Sequence, residues 1–325
     1  MALRGSGYES GSCSSNAFRS KEMQILVAFH ALFFLVFLAL FAFAAVKFFR
    51  SQQKGIALRR WFLFAFSIVF RIIASILVIV QVSIHECQLI SESTYYQFDI
   101  ARQWFSLLAY LTLVAVIMIP LCRRLVQGNR KIAKMVTLAN SAYVGLLAIL
   151  VVCVLGTYTS IIYDYMRLGF HDGVLDHHHI KTETAYAVLA LIGMLIASAN
   201  MLFAILRGRH MRKGVLRVAI PLLIVSALGM TSLYLANHII FTYLQREYLQ
   251  RGLDAFNRSL EAQLFLQLFF YAATFLSALL VASSPQLKDN DDARFNSRQP
   301  AGYTPGPHPY RQCGQPQLKE QAQYQ

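Results

Sequence analysis

Charge is what this chain of 325 residues has least of: 14% of its residues are Asp, Glu, Lys or Arg, against roughly 25% in an ordinary soluble domain. With 56% of residues apolar, the shortage excludes a soluble globule. It also excludes a disordered chain, which needs low hydrophobicity and high net charge. Acidic residues are scarcer than basic ones, 16 against 30, for a net charge of +14. Alone, that balance would suggest a nucleic-acid partner. The five cysteines are too few and too scattered for a disulfide scaffold or a zinc module. No segment alternates like a ten-residue barrel strand, so a membrane β-barrel is excluded as well.

What the sequence has is long apolar runs. A helix needs about 20 predominantly apolar residues to cross the hydrocarbon core of a bilayer. Seven segments meet that length: 23–46, 61–83, 104–121, 137–161, 184–206, 218–241 and 262–284. The first is too long for the apolar core of a signal peptide and no small-residue cleavage site follows it, so it reads as a membrane helix. The expected fold is all-α: a multi-pass membrane protein with one seven-helix bundle over 23–284, a Ser/Gly-rich disordered N-terminus over 1–22 and a disordered Pro/Gln-rich tail over 285–325. Six of the eight prolines fall in that tail.

The basic residues sort by side. The stretches 47–60, 122–135, 207–217 and the tail hold 20 of the 30 Lys and Arg, whereas the N-terminus and the other three loops hold nine of them and 12 of the 16 acids. Short cytoplasmic loops carry the basic excess, so the N-terminus is expected outside and the C-terminus in the cytoplasm. The +14 is therefore an orientation signal. The expected partners are the bilayer itself, anionic lipid head groups at the inner basic loops and a cytoplasmic effector, with no nucleic acid. The sequon Asn257-Arg258-Ser259 falls in the last outer loop, an expected glycosylation site.

Polar side chains in lipid turn toward the bundle interior or a water-filled cavity. At 100° per residue, Ser67, Arg71, Ser75, Gln81 and His85 share one face of the second helix. Gln263, Gln267, Tyr271, Thr274 and Ser277 share one face of the seventh, and Ser226, Tyr234 and Asn237 align on the sixth. On the fifth, Tyr186, Ala190, Gly193, Ala197, Asn200 and Ala204 align, and the Gly193-xxx-Ala197 spacing would let a neighbouring backbone come close.

Arg71 is the only cation within a span, and no span contains Asp or Glu. Counted from Trp61 at about 1.5 Å per residue, it lies about 15 Å deep. Such a residue costs at least about 2.5–3.5 kcal/mol on insertion scales. Two readings fit it. In one, hydroxyls, backbone carbonyls and water hold it as a structural knot; in the other it faces a cavity and receives a carboxylate, a lipid phosphate or chloride. The expected ligand site is Arg71, Asn237, His238, Gln263, Gln267 and Tyr271, in the outer half of the bundle.

Seven of the nine histidines fall on the outer half. His171, Asp172, Asp176, His177 and His179 are candidate ligands for Zn, Cu or Ni, and imidazoles there would also sense external acidity. Asp176-His177-His178-His179 is similar to the Asp-His-His-Cys string of protein acyltransferases, but it lacks the cysteine and the surrounding Cys-rich domain, and lies on the wrong side. Cys13 and Cys87 are both expected outside, in position to pair. Cys122, beside Arg123-Arg124, is placed for palmitoylation, and Cys153 reads as a packed core residue.

Enzymatic function is not expected, because the spans lack the acids and spaced histidines that membrane hydrolases, prenyl transferases and terpene cyclases use. No cofactor is expected: helix 7 has no lysine for a retinal Schiff base. The layout resembles that of G-protein-coupled receptors, without their motifs. Helix 3 ends Ile119-Pro120-Leu121-Cys122-Arg123-Arg124 and helix 7 carries no Asn-Pro-x-x-Tyr. Seven-helix sugar transporters carry paired Pro-Gln motifs, and here Pro285-Gln286 stands alone. Phe66-Ser67-Ile68-Val69-Phe70-Arg71-Ile72-Ile73, with the basic loops and the tail, resembles seven-helix membrane proteins of filamentous fungi; that resemblance implies membrane residence and no defined chemistry. The expected function is receptor-like or sensory, with transport of a small solute or lipid as the alternative.

Overall fold

The computed structural model describes residues 13, 18, 20–50, 58–87, 91–125, 130–169, 173–207, 215–245, 250 and 252–284. The tail from residue 285 lies outside them, as do His171 and Asp172. The described chain is all helical, and seven of its helices are long and apolar enough to cross a membrane. They are α1 (Lys21–Arg50), α2 (Leu58–Glu86), α3 (Glu92–Val116), α4 (Arg130–Leu168), α5 (Gly173–Arg207), α6 (Leu216–Thr242) and α7 (Leu253–Ser283). Each packs against its neighbour in the chain, and α7 returns to α1. Phe29 and Phe33 of α1 meet Phe265 of α7 with ring centroids 5.3 and 5.5 Å apart. α3 is the most enclosed span: 67% of its most apolar stretch is buried, against 22% for α1.

Most helices overrun the expected spans. α3 begins at Glu92, twelve residues before the expected 104, and α4 runs for 39 residues. At 1.5 Å per residue α4 is about 58 Å long, well beyond the roughly 30 Å of a hydrocarbon core. An apolar run reports only the part of a helix that would lie in lipid; the polar turns at its ends are stabilised by packing on each other. α4 stops at Gly169, whose φ of 72° is a left-handed conformation open to glycine.

Pro120 does not break α3. The helix widens into a π turn over Ile117–Leu121 and resumes over Cys122–Leu125. Asn140 of α4 donates its Nδ2 to the Met118 carbonyl at 2.6 Å. A neighbouring helix thus ties itself to the backbone of the π turn.

The small-residue face of α5 is buried as expected: Tyr186, Ala190, Ala197 and Ala204 are within the core. What approaches Gly193 is a side chain rather than a backbone. Tyr143 of α4 lays its ring there, and a Cβ on Gly193 would come within 2.6 Å of Tyr143 Cε1. The Tyr143 hydroxyl donates to the Leu189 carbonyl at 2.6 Å.

The cysteines decide one open pairing and correct two expectations. Cys13 and Cys87 are joined as a disulfide across 74 residues, next to a bond from the Phe18 N–H to Glu86 Oε2. Cys122 is fully buried, so it is not placed for acylation, and Cys153 is exposed on the outer surface of α4. In both cases the helix phase at the residue decides, and adjacency to basic or apolar neighbours does not report it.

Candidate functional site

Arg71 sits at the middle of α2. Its guanidinium lies 5.8 Å from the centre of the Phe37 ring and 5.1 Å from that of Tyr271. A desolvated cation over an aromatic face gains up to about 2 kcal/mol, enough to offset much of the insertion cost. Hydrogen bonding does far less. Among the described residues one of its five N–H donors is used, from Nη1 to Ser106 Oγ at 3.2 Å, and Nε is buried without a partner. Among the described residues no carboxylate lies within bonding distance of it.

The hydroxyls expected around Arg71 are committed elsewhere. The Tyr271 hydroxyl lies 2.8 Å from Ser67 Oγ, 3.1 Å from the Ser67 carbonyl and 3.3 Å from the Ala109 carbonyl. This knot ties α2, α3 and α7 together, and it turns the Tyr271 ring face toward the guanidinium. Thr274 Oγ1 is buried with no partner and does not reach Arg71.

Beside Arg71 is a cavity of about 160 Å³. α7 contributes Gln267 and Tyr271, and α6 contributes Met230 and Tyr234. The largest share comes from α3: Arg102, Gln103, Ser106, Leu107 and Tyr110. These α3 positions recur at three- and four-residue intervals, the period of one helix face, and two of the five, Arg102 and Gln103, precede the expected span. By apolar composition Arg102 and Gln103 read as loop, while Ser106, Leu107 and Tyr110 lie inside the span without an expected partner.

Arg102 is not a free charge. Its Nη2 and Nε bond Asp99 Oδ1 at 2.7 and 3.1 Å. Asp99 also accepts from Gln81 Nε2 at 3.4 Å and, through Oδ2, from the Tyr158 hydroxyl. The acid–base pair cancels, so the cavity is left with the single positive charge of Arg71.

Of the six residues expected to line a ligand site, Arg71, Gln267 and Tyr271 come together at the cavity and the other three do not. Gln263 donates to Ser259 one turn away. Asn237 keeps a buried Oδ1 without a partner. His238 belongs to a second cluster, around Glu183 of α5. Its Nδ1 and the Nε2 of His179 each lie 3.4 Å from Glu183 Oε2, while Tyr234 donates to Oε1 at 3.2 Å. The far nitrogen of each ring meets a threonine: His179 Nδ1 lies 3.0 Å from Thr157 Oγ1 and His238 Nε2 2.7 Å from Thr184 Oγ1. Tyr234 belongs to both the cluster and the cavity wall. Glu183 stands one residue outside the expected fifth span, and the cluster was missed for that reason.

His171 and Asp172 lie outside the described residues, and the three described metal candidates are not gathered on one site. His179 turns inward to Glu183, while His177 and His178 are exposed with their rings 6.5 Å apart. Asp176 is half-buried in the first turn of α5. Among the described residues no group of three His, Cys, Asp or Glu is arranged to hold a metal ion. The sequon lies in the first turns of α7 rather than in a loop, with Asn257 half-buried and Ser259 accepting from Gln263.

No family model, curated protein or solved structure matches the chain.

Proposed function

We propose that this chain is a receptor-like or sensory integral membrane protein that binds a small anionic ligand beside Arg71, with its N-terminus outside and its C-terminus in the cytoplasm. One observation carries the reading: a guanidinium at the middle of a bundle helix borders a cavity, lacks a carboxylate partner among the described residues and uses one of its five donors. A cation kept only as a structural knot would have its remaining donors satisfied by the protein, since an unmet buried donor costs about 1–3 kcal/mol. The sorting of basic residues supports the orientation, and the basic loops would contact anionic lipid and an effector on the inner side.

The test is thermal unfolding of the full chain in nanodiscs with chloride, phosphate, acetate and decanoate. A ligand at 100 times its Kd stabilises by about 2.7 kcal/mol. A rise in Tm with at least one of these anions, absent in a folded Arg71→Gln variant, is the expected result. No rise with any of them in the folded protein would sink the anion site. Uptake of the same anion into liposomes by the purified chain alone would favour transport over reception.

A further inference from the structure

We infer that the ligand of the Arg71 cavity is a compact monocarboxylate of about six non-hydrogen atoms, an inference that rests on the anion-site reading above. Three features of the cavity point there. The first is charge. Asp99 neutralises Arg102 at 2.7 Å, which leaves one uncompensated positive charge at Arg71. A singly charged anion balances it. A phosphate monoester, at about −1.5 to −2 near neutral pH, would leave excess negative charge beside a single guanidinium.

The second is size. The cavity measures about 160 Å³, and an engineered apolar cavity of about 150 Å³ in another protein admits benzene. Six non-hydrogen atoms fill such a space; a long acyl chain does not fit. The third is the lining. Gln103, Gln267 and Ser106 offer amide and hydroxyl groups, and the tyrosines and Met230 offer apolar faces. Bare chloride would leave those groups unmatched and most of the volume empty. A planar carboxylate matches the guanidinium fork, and a short carbon body fills the rest.

The experiment is saturation-transfer NMR on the full chain in nanodiscs, a method suited to weak ligands. Butyrate and lactate are the probes. Butyramide is the neutral isostere, decanoate the long acid and inorganic phosphate the alternative anion. The expected result is binding of butyrate and lactate in mutual competition, at least about tenfold tighter than the other three, and lost by about tenfold or more in Arg71→Gln. Butyramide binding as well as butyrate overturns the inference. Arg71-dependent binding of phosphate or decanoate also overturns it, while leaving the anion site standing. A folded protein that binds none of the anions overturns both. Should Arg71→Gln fail to fold, Met230→Trp fills the cavity and leaves the charge in place. That variant is expected to abolish butyrate binding, and retained binding places the ligand elsewhere.

Discussion

At the scale of the residue, Arg71 and Tyr271 divide their work. The Tyr271 ring faces the guanidinium at 5.1 Å while its hydroxyl bonds Ser67 and Ala109. Tyr271→Phe keeps the ring and removes the hydroxyl. It should cost about 1 kcal/mol of stability, the net worth of a hydrogen bond, with anion-dependent stabilisation retained. Thermal unfolding with and without butyrate checks both halves. Tyr271→Leu removes the ring as well, and a further loss of about 1–2 kcal/mol would measure the cation–π contact. Arg71, Gln267 and Tyr271 were legible as a site because their helical phases converge on one interior. Asn237 and Gln263 shared those phases but not the depth: the cavity ends about one turn short of them and of His238. Phase can be read from spacing, whereas the length of a cavity depends on which neighbouring side chains fill it.

At the scale of the element, the tolerance of each glycine follows from what lies above it. Gly193→Ala would place a methyl 2.6 Å from a Tyr143 ring carbon that is anchored through its hydroxyl to Leu189. Overpacking of this kind costs about 1–3 kcal/mol. Gly145→Ala and Gly156→Ala on α4 meet nothing within 4 Å and should be neutral or slightly stabilising. Urea or heat denaturation of the three variants in one detergent gives the comparison. An equal effect at Gly193 and Gly145 would contradict the packing described. At the π turn, Asn140→Leu withdraws the donor from the Met118 carbonyl and should cost about 1–3 kcal/mol for the acceptor left unmet. Seven spans could be read from apolar runs, but the polar turns that extend them could not. Asp99, Arg102 and Glu183 looked like loop residues because composition within a window does not distinguish a solvated loop from a helix end that packs on its own kind. The amphipathic spacing of Arg102, Gln103, Ser106 and Tyr110 carried the missing signal.

At the scale of the whole molecule, the Cys13–Cys87 disulfide reports on sidedness. Disulfides persist in oxidising compartments and not in the cytosol. In sealed right-side-out vesicles, a membrane-impermeant maleimide is expected to label neither cysteine, and to label both after an impermeant reductant has been applied from outside. Labelling that requires permeabilised vesicles would reverse the proposed orientation. The two other cysteines seen in the structure do not interfere, since Cys122 is buried and Cys153 lies on the outer surface of an apolar span, out of reach of an impermeant reagent.

The knot that joins Ser67 to Tyr271 spans 204 residues of chain. A ribosome adds roughly 5–20 residues per second, so about 10–40 s separate the synthesis of the two partners. Throughout that interval the Arg71 segment has been made and the aromatic face from α7 has not. The nascent bundle must therefore hold this cation with Phe37 and Ser106 alone until its last helix arrives. Truncation before α7 should leave a product that is retained and degraded, and supplying α7 as a separate fragment should rescue it. Biogenesis of this protein is in that sense a waiting problem, set by one arginine near the start and resolved by one tyrosine near the end.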